Sequence, residues 1–514
     1  MPSLESINVH PSTHPPSSLN KLVFDVICLG SGWAGRVLAA RCVAAGLSAL
    51  IVEKELVGGD CPFWACIPSK ALLRPAEALD DARQVGGARE RLISTSVSVD
   101  AESVFRRRDM YTSGWDDAKV AIPMVESSGV HIVRGVGRIT GVKKVNVTLD
   151  IGGGRNESID LKARQAVAIC TGSEPTMPDI LGLLDAKPWG PREATSSSII
   201  PKTLFIIGGG VFGVEMATVY QSLGSKVILA SRTPELLPSL DSQAGEIVRK
   251  KLESRGVRIL TSTEVTSVNR DVSNASITIA LSLNGTSQDM SASEILVATG
   301  RRPVVQHLGL ESIGYDTALI EAGSPIMVDE SLVVKSISSN SSPWLYAAGD
   351  VNGRALLTHT SKYHGRIAAN AIIARANKAF PSQGSPFDSF SASADHTAVP
   401  QVIFSDPVVA SVGLTRKAAE QKGRVVRTVT ASILTPGASL HAEGYEMGWA
   451  QWVLERDTGV LLGATFVGSE VSELLHASTV AIVGAMRVKQ LVHAIPSFPT
   501  MSEVYLNLVD AAGV

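Results

Sequence analysis

Two cysteines, Cys61 and Cys66 in the stretch GGDCPFWACIPSK, stand five positions apart in a 514-residue chain that has only five cysteines. A pair at the start of an expected helix is compatible with a structural role, half of a metal site, or a redox disulfide. The metal reading needs more ligands, and none of the ten histidines falls close enough in sequence to complete a zinc motif, so no metal site is expected. Cys28, Cys42 and Cys170 lie in apolar stretches and read as packing residues. Cys61 and Cys66 can meet across one irregular helical turn, and a helix N-terminus lowers a thiol pKa from about 8.5 toward roughly 3.5–7.5.

A second chemistry, the binding of dinucleotide phosphates, is written in two glycine loops. In GSGWAG, Gly30 permits a tight turn, Gly32 lets backbone N–H groups approach a pyrophosphate, and Gly35 lets helix pack on strand. Glu53, eighteen residues after Gly35, is placed to accept from ribose hydroxyls. Gly208, Gly210 and Gly213 repeat the pattern, so the chain is expected to hold two dinucleotides. At the second site Ser231 and Arg232 stand where an acid would meet an NAD ribose, and arginine suits a 2′-phosphate, which favours NADPH.

The elements that must position these groups are legible as hydrophobic runs. Residues 22–30 form an apolar strand, 36–46 a helix, and LSALIVEK a second strand; LFIIGGG, VFGVEMATVYQSLG and SKVILASR repeat that order. Two more strands, AVAICTG and EILVATG, end in Thr-Gly at Gly172 and Gly300, places where a returning strand can meet a cofactor. LYAAGD ends in the acid Asp350. Residues 1–20, rich in Pro and Ser, read as a disordered tail, and 381–395 as a linker. The formal net charge of −2 gives no footprint for nucleic acid, and no apolar run approaches the roughly 20 residues of a membrane span, so a soluble, cytoplasmic protein is expected.

The ordered set GSGWAG with Glu53, GGDCPFWACIPSK, GGGVFGVE, ATGRRP, LYAAGDVNG, VPQVIFSDPVVASVGLT and PTMSE resembles the pyridine nucleotide-disulfide oxidoreductases of the glutathione reductase and dihydrolipoamide dehydrogenase type, from about Lys21 to Asp510. The resemblance implies an α/β fold: two Rossmann-like dinucleotide-binding domains plus a C-terminal α+β dimerisation domain. It divides the chain into FAD-binding parts at 21–172 and 298–380, an NAD(P)-binding domain at 173–297, and a dimerisation domain at 396–514 that makes a homodimer. It further implies FAD at the first site, with Asp350 near its ribityl and pyrophosphate region, and NAD(P)H at the second. Cys66 becomes the thiol against the flavin, Cys61 the thiol that exchanges with substrate, and Lys70 and Glu215 an ion pair near the flavin.

The resemblance breaks at the C-terminus. The family's His-Pro-Thr-x-Ser-Glu segment reads Phe498-Pro499-Thr500-Met501-Ser502-Glu503, so Phe498 replaces the acid–base histidine while Glu503, matching the acid that orients it, remains. His493, five residues upstream, does not overlay that position. Between the cysteines, Phe63-Trp64-Ala65 replaces a more usual Asn-x-Gly. The expected activity is an FAD-dependent, NAD(P)H-linked thiol–disulfide oxidoreductase acting on a small or unusual thiol or disulfide. The alternatives are an electron-transfer flavoprotein that reduces quinones directly from flavin, a carboxylase-like variant exploiting the missing proton donor, and a non-enzymatic dimeric scaffold.

Overall fold

The computed structural model describes residues 6–514 apart from 94–97, 272, 274–275, 284, 336–341, 382–384, 386 and 444–447. Its first sheet grows from the apolar run Val23–Leu29, whose strand is buried on both faces in the manner of a central parallel strand. Ala49–Glu53 and then His131–Arg134 follow on one side, all parallel. On the other side lies the 14-residue strand Asn156–Ile169. Its second half pairs parallel with Val23–Leu29 and with Leu345–Ala347, while its first half continues antiparallel with Lys144–Asp150. Helix Trp33–Ala44 packs against helix Thr358–Ala376 over this sheet.

The second glycine loop opens a separate four-stranded parallel sheet of Arg258–Leu260, Lys226–Ala230, Thr203–Ile207 and Glu294–Val297, with the antiparallel strands Thr263–Asp271, Ser276–Leu283 and Thr286–Ala292 beside it. The chain enters and leaves this unit through a two-stranded antiparallel ribbon, Ser173–Pro175 with Arg301–Pro303. A third unit is a five-stranded antiparallel sheet from Pro400 to Gly468, covered by helices Val471–Val483 and Val504–Ala511. The α/β class with two parallel-sheet units and a C-terminal α+β unit is therefore as the sequence implies. No helix among the described residues is long and apolar enough to cross a membrane.

Two segments differ from the sequence reading. The tail expected to be disordered through residue 20 lies, from residue 6 onward, along the first unit. Ile7 and Val9 pack on a cluster of Leu56, Phe63, Trp64 and Trp115, and the Arg134 N–H donates to the His14 carbonyl at 2.8 Å. The expected linker 381–395 lies partly outside the described residues, but from Phe387 onward it folds back on the first unit. Phe390 stacks on Phe380 with ring centres 4.7 Å apart, Ala392 is buried in the core, and Asp395 meets His364 at 2.9 Å. In both cases Pro and Ser describe local chain preference, whereas a few apolar or charged side chains find tertiary partners that outweigh it. Helix Trp33–Ala44 also begins three residues before the expected start, with the Arg36 N–H donating to the Gly32 carbonyl at 3.0 Å.

Removing residues 1–14 uncovers the Trp64 and Trp115 pair. Losing the partial burial of two aliphatic side chains is expected to cost about 2 kcal/mol, seen as a lower thermal midpoint and red-shifted tryptophan emission.

Candidate active site

The two glycine loops have the same geometry. Gly30 has φ +108°, and a Cβ there would lie 2.3 Å from the Cys170 carbonyl oxygen; Gly208 has φ +126° and the same relation to Ala298. A Cβ on Gly35 would meet the Gly30 oxygen at 2.1 Å, and one on Gly213 the Gly208 oxygen at 2.0 Å. In contrast Gly32 and Gly210, each at the N-cap of a 12-residue helix with no side-chain cap, face open space. The uncapped N–H groups and the helix field at each place suit a pyrophosphate. Gly172 and Gly300 likewise face open space with positive φ. The residues present thus fit two dinucleotides.

Glu53, at the end of its strand, turns one carboxylate oxygen to the glycine loop, accepting from the Ser31 N–H at 2.8 Å and the Ser31 hydroxyl at 2.6 Å. Ser31 in turn accepts from the Gly58 N–H at 2.8 Å. The residue expected to meet a ribose therefore also ties the loop to the cysteine segment. Asp350 accepts from the Ser173 hydroxyl at 2.7 Å; burial pushes its pKa up against that hydrogen bond. The backbone before it is held by His364, which the sequence reading missed. His364 Nδ1 accepts from the Gly349 N–H at 3.1 Å, while Nε2 meets Asp395 at 2.9 Å, and Arg354 reaches the same carboxylate at 3.0 Å. Against the burial that opposes it, His364 and Arg354 hold the Asp395 carboxyl below its ordinary range.

Cys61 lies in the short helix Asp60–Phe63, and Cys66 is the first residue of helix Cys66–Arg83. Both are free thiols, the reduced form of the pair, and they sit unequally. The hydrogen bond from Cys61 draws the Cys66 thiol down to about 6 despite burial, with help from Thr358 and the charge of Lys70. The same hydrogen bond, with burial, raises the Cys61 pKa. Thr358 Oγ1 lies 3.2 Å from Cys66 Sγ. Lys70, one turn along from Cys66, donates to both oxygens of Glu215 at 3.0 and 2.8 Å. Glu215 also accepts from the Phe404 N–H at 3.0 Å. Behind the pair, the Trp115 indole N–H donates to the Phe63 carbonyl at 3.0 Å, and Trp64 and Trp115 lie 6.1 Å apart.

The remaining expected residues lie apart from this group within one chain. Ser231 is buried, its hydroxyl 2.8 Å from that of Thr233, and Arg232 beside it is exposed. Phe498 is 74% exposed, and Glu503 accepts from the Gly437 N–H at 3.1 Å. Exposed apolar side chains Ile495, Leu440, Leu434 and Val480 belong to the same C-terminal unit. Nothing in LTHTSKYHG marks His364 or Thr358 as special, because their partners come from other elements.

Residues 24–368 match the family model described as pyridine nucleotide-disulphide oxidoreductase, and 399–509 match that family's dimerisation domain. Similar curated proteins include the dihydrolipoyl dehydrogenase of Rhizobium etli, 31% identical over 95% of this chain and 98% of its own, and that of Chlorobaculum tepidum, 30% identical over 93% and 95%. Among solved structures, the HOCl-induced flavoprotein disulfide reductase RclA of Escherichia coli and LpdA of Mycobacterium tuberculosis each share the fold at TM-score 0.76 and 20% identity, covering 96% of this chain and 99% of theirs. With two glycine loops built alike and a cysteine pair beside a Lys–Glu ion pair, this chain belongs to the pyridine nucleotide-disulphide oxidoreductase family and is an FAD-dependent oxidoreductase that uses a pyridine nucleotide.

Proposed function

We propose that the enzyme is an NADPH-linked thiol–disulfide oxidoreductase in which Cys61 exchanges with a small disulfide and Cys66 resolves the product. The observation that carries this reading is the placement of the pair: Cys66 opens helix Cys66–Arg83 with Thr358 Oγ1 3.2 Å from its sulfur and the Lys70–Glu215 pair one turn on, which favours a Cys66 thiolate beside a Cys61 that keeps its proton. In the reductive direction Cys61 gives up that proton and attacks one sulfur of the substrate. The substrate S–S bond breaks, and the first thiol leaves with the proton. Cys66 then attacks Cys61 Sγ in the mixed disulfide, which releases the second thiol and closes the Cys61–Cys66 disulfide. The balance is one thiol–thiolate pair, one disulfide and one proton from solvent giving one disulfide and two thiols. FAD, when bound, would supply the two-electron chemistry that links the nicotinamide to that disulfide. Gly30, Gly32, Gly35, Gly172 and Asp350 would hold the FAD, with Lys70 and Glu215 beside its reacting end; Gly208, Gly210, Gly213 and Gly300 would hold the nicotinamide dinucleotide.

Phe498 and Glu503 would reach the partner subunit's cysteines in a homodimer, which the exposure of Phe498 and Ile495 supports. With phenylalanine in that place, no imidazole takes the proton of the exchanging thiol. Positioned acid–base catalysis contributes about 10²–10⁴-fold, so exchange with an unactivated disulfide is slow.

Steady-state kinetics on a small neutral disulfide test the reading. Cys61→Ser abolishes turnover, and Phe498→His raises it, by up to about 10²-fold with Glu503 orienting the ring. Disulfide or quinone turnover that survives Cys61→Ser unchanged overturns the exchange role and favours direct transfer from flavin. The coenzyme preference rests on Ser231 and on the exposed Arg232, whose guanidinium is open to a phosphate. NADPH should show the higher kcat/KM, and Arg232→Glu should reverse the order.

The Cys66 thiolate has a pH signature. Its pKa is lowered, so the ionised form persists down to about pH 6 and disappears as pH falls through that value. The two-electron-reduced, FAD-loaded protein is expected to show a long-wavelength absorbance that fades below about pH 6. The absorbance should be missing from Cys66→Ser at every pH.

A further inference from the structure

A histidine that no step of the exchange reaction uses brackets the turn carrying Asp350. Strand Leu345–Ala347 makes its last ladder bond one residue on, where the Ala348 N–H donates to the Ile169 carbonyl at 3.0 Å. At Gly349 the chain turns with φ +87°, and a Cβ there would lie 3.0 Å from Ser361 Oγ and 3.3 Å from the Ala34 Cβ, so the position accepts only glycine. The Gly349 N–H is buried, and a buried donor must find an acceptor. It finds His364 Nδ1 at 3.1 Å. On the far side of Asp350, the Asn352 amide nitrogen lies 3.3 Å from the same Nδ1 and donates to the Ala347 carbonyl at 3.2 Å, while the Asn352 oxygen accepts from the Arg354 N–H at 3.1 Å. Asp350 thus stands between two residues tied to one imidazole nitrogen.

Two donors aimed at Nδ1 require that it carry the lone pair, so the ring's proton sits on Nε2. Asp395 selects that tautomer. Its carboxylate oxygens lie 2.9 and 3.0 Å from Nε2, and Arg354, fixed by the Val328 and Asp329 carbonyls at 3.1 and 3.0 Å, reaches one of them at 3.0 Å. The opposite tautomer would set one N–H against the Gly349 N–H and a lone pair against the carboxylate. The His364 and Asp395 side chains are 0% and 1% exposed, so bulk water would not replace a lost partner. A buried polar network of this kind stabilises a fold no more than apolar packing of the same volume, so its use here is placement. Asp395 comes from the stretch between Ala392, in the core of the first unit, and Ala398, in the core of the third.

We propose that His364 is a positioning residue for FAD, that Asp395 holds it in the one tautomer able to fix the turn at Asp350, and that the stretch from Phe387 to Ala398 thereby sets how long the flavin is retained. This role rests on Asp350 holding FAD, as read above. The coupling is reciprocal: a seated Asp395 favours bound FAD, and bound FAD favours a seated Asp395.

The rate of FAD release from the full-length holoenzyme, read as the rise of free-flavin fluorescence on dilution, tests the role without turnover. His364→Leu leaves the Gly349 N–H and the Asp395 carboxylate short of a partner and is expected to release FAD roughly tenfold faster, as is Asp395→Ala. His364→Gln, whose side-chain oxygen can accept from Gly349 while its NH2 donates to Asp395, should stay within about threefold of the parent. If His364→Leu does not fold, Asp395→Ala and His364→Gln carry the comparison. Parent-like release from both His364→Leu and Asp395→Ala overturns the positioning role, and so does His364→Gln releasing FAD as fast as Asp395→Ala.

Asp350→Ala separates this role from the one beneath it. It should itself speed release, and adding His364→Leu to it should change the rate by less than about threefold, because the turn then has no carboxylate to present. Full multiplication of the two effects, the mark of general destabilisation, overturns the route through Asp350. Release that Asp350→Ala does not change removes the Asp350 reading and the positioning role together. Release that Asp350→Ala speeds and His364→Leu does not leaves that reading standing and removes the positioning role. Hydrogen exchange of 388–398 follows the coupling from its other end: removing FAD from the parent protein should speed it, and equal exchange with and without FAD overturns the part given to this stretch.

Discussion

The Glu215 carboxylate is the point on which the three units of the chain meet. Its side chain is 3% exposed, and it accepts two hydrogen bonds from Lys70 of the first unit and one from the Phe404 N–H of the third, while itself belonging to the helix that follows the second glycine loop. A carboxylate so deeply placed is tolerated only when its charge is met and its lone pairs are filled. Here each unit supplies or receives part of that satisfaction. Lys70 also stands 4.8 Å over the Phe404 ring, so its stem and its charge are both engaged. Because Lys70 lies four residues from Cys66 on the same helix, the ion pair fixes the helix's rotation and with it the direction of the thiol.

The unequal thiols follow from the same constraint. Cys66 occupies the first position of a helix whose charge partner is pinned one turn away, and Thr358 from a different helix closes on its sulfur. Cys61 has no comparable helix behind it, sitting in a four-residue turn whose back is packed by Trp64 and Trp115. The bulky residues between the cysteines thus anchor the segment to the body of the first unit. Residues Ile7 and Val9 cover that anchor from outside.

The glycine loops were readable in the sequence because their constraint is local. A positive φ at Gly30 and Gly208, and close backbone contact at Gly35 and Gly213, can be met by glycine and by nearly nothing else, so residue type announces geometry. Lys70 and Glu215 were reachable only through resemblance, since 145 residues separate them. Glu53 was identified, yet its hydrogen bonds to Ser31 were not, because a serine in a turn carries no signal of which carboxylate it meets. Trp33 read as part of a loop although it already belongs to the helix. The segment around Asp395 read as a linker because nothing nearby reveals His364 and Arg354, which come from elsewhere in the chain. Apart from the helix start at Trp33, what escaped the sequence was a pairing between distant elements, and the order of the units did not depend on any of those pairings.

The ribbon of Ser173–Pro175 with Arg301–Pro303 has a consequence for how such an enzyme can be assembled and altered. Pro303 lies opposite Ser173, so the two ends of the second unit are neighbours in space. A module whose termini already touch closes almost no new loop when it is inserted into a host, and its excision leaves a gap that a short turn spans. The second unit is thus built as an exchangeable cartridge. Recombination at this one crossing exchanges the unit as a whole, and the cysteine segment keeps its place only if the incoming unit brings a carboxylate where Glu215 meets Lys70 and the Phe404 N–H.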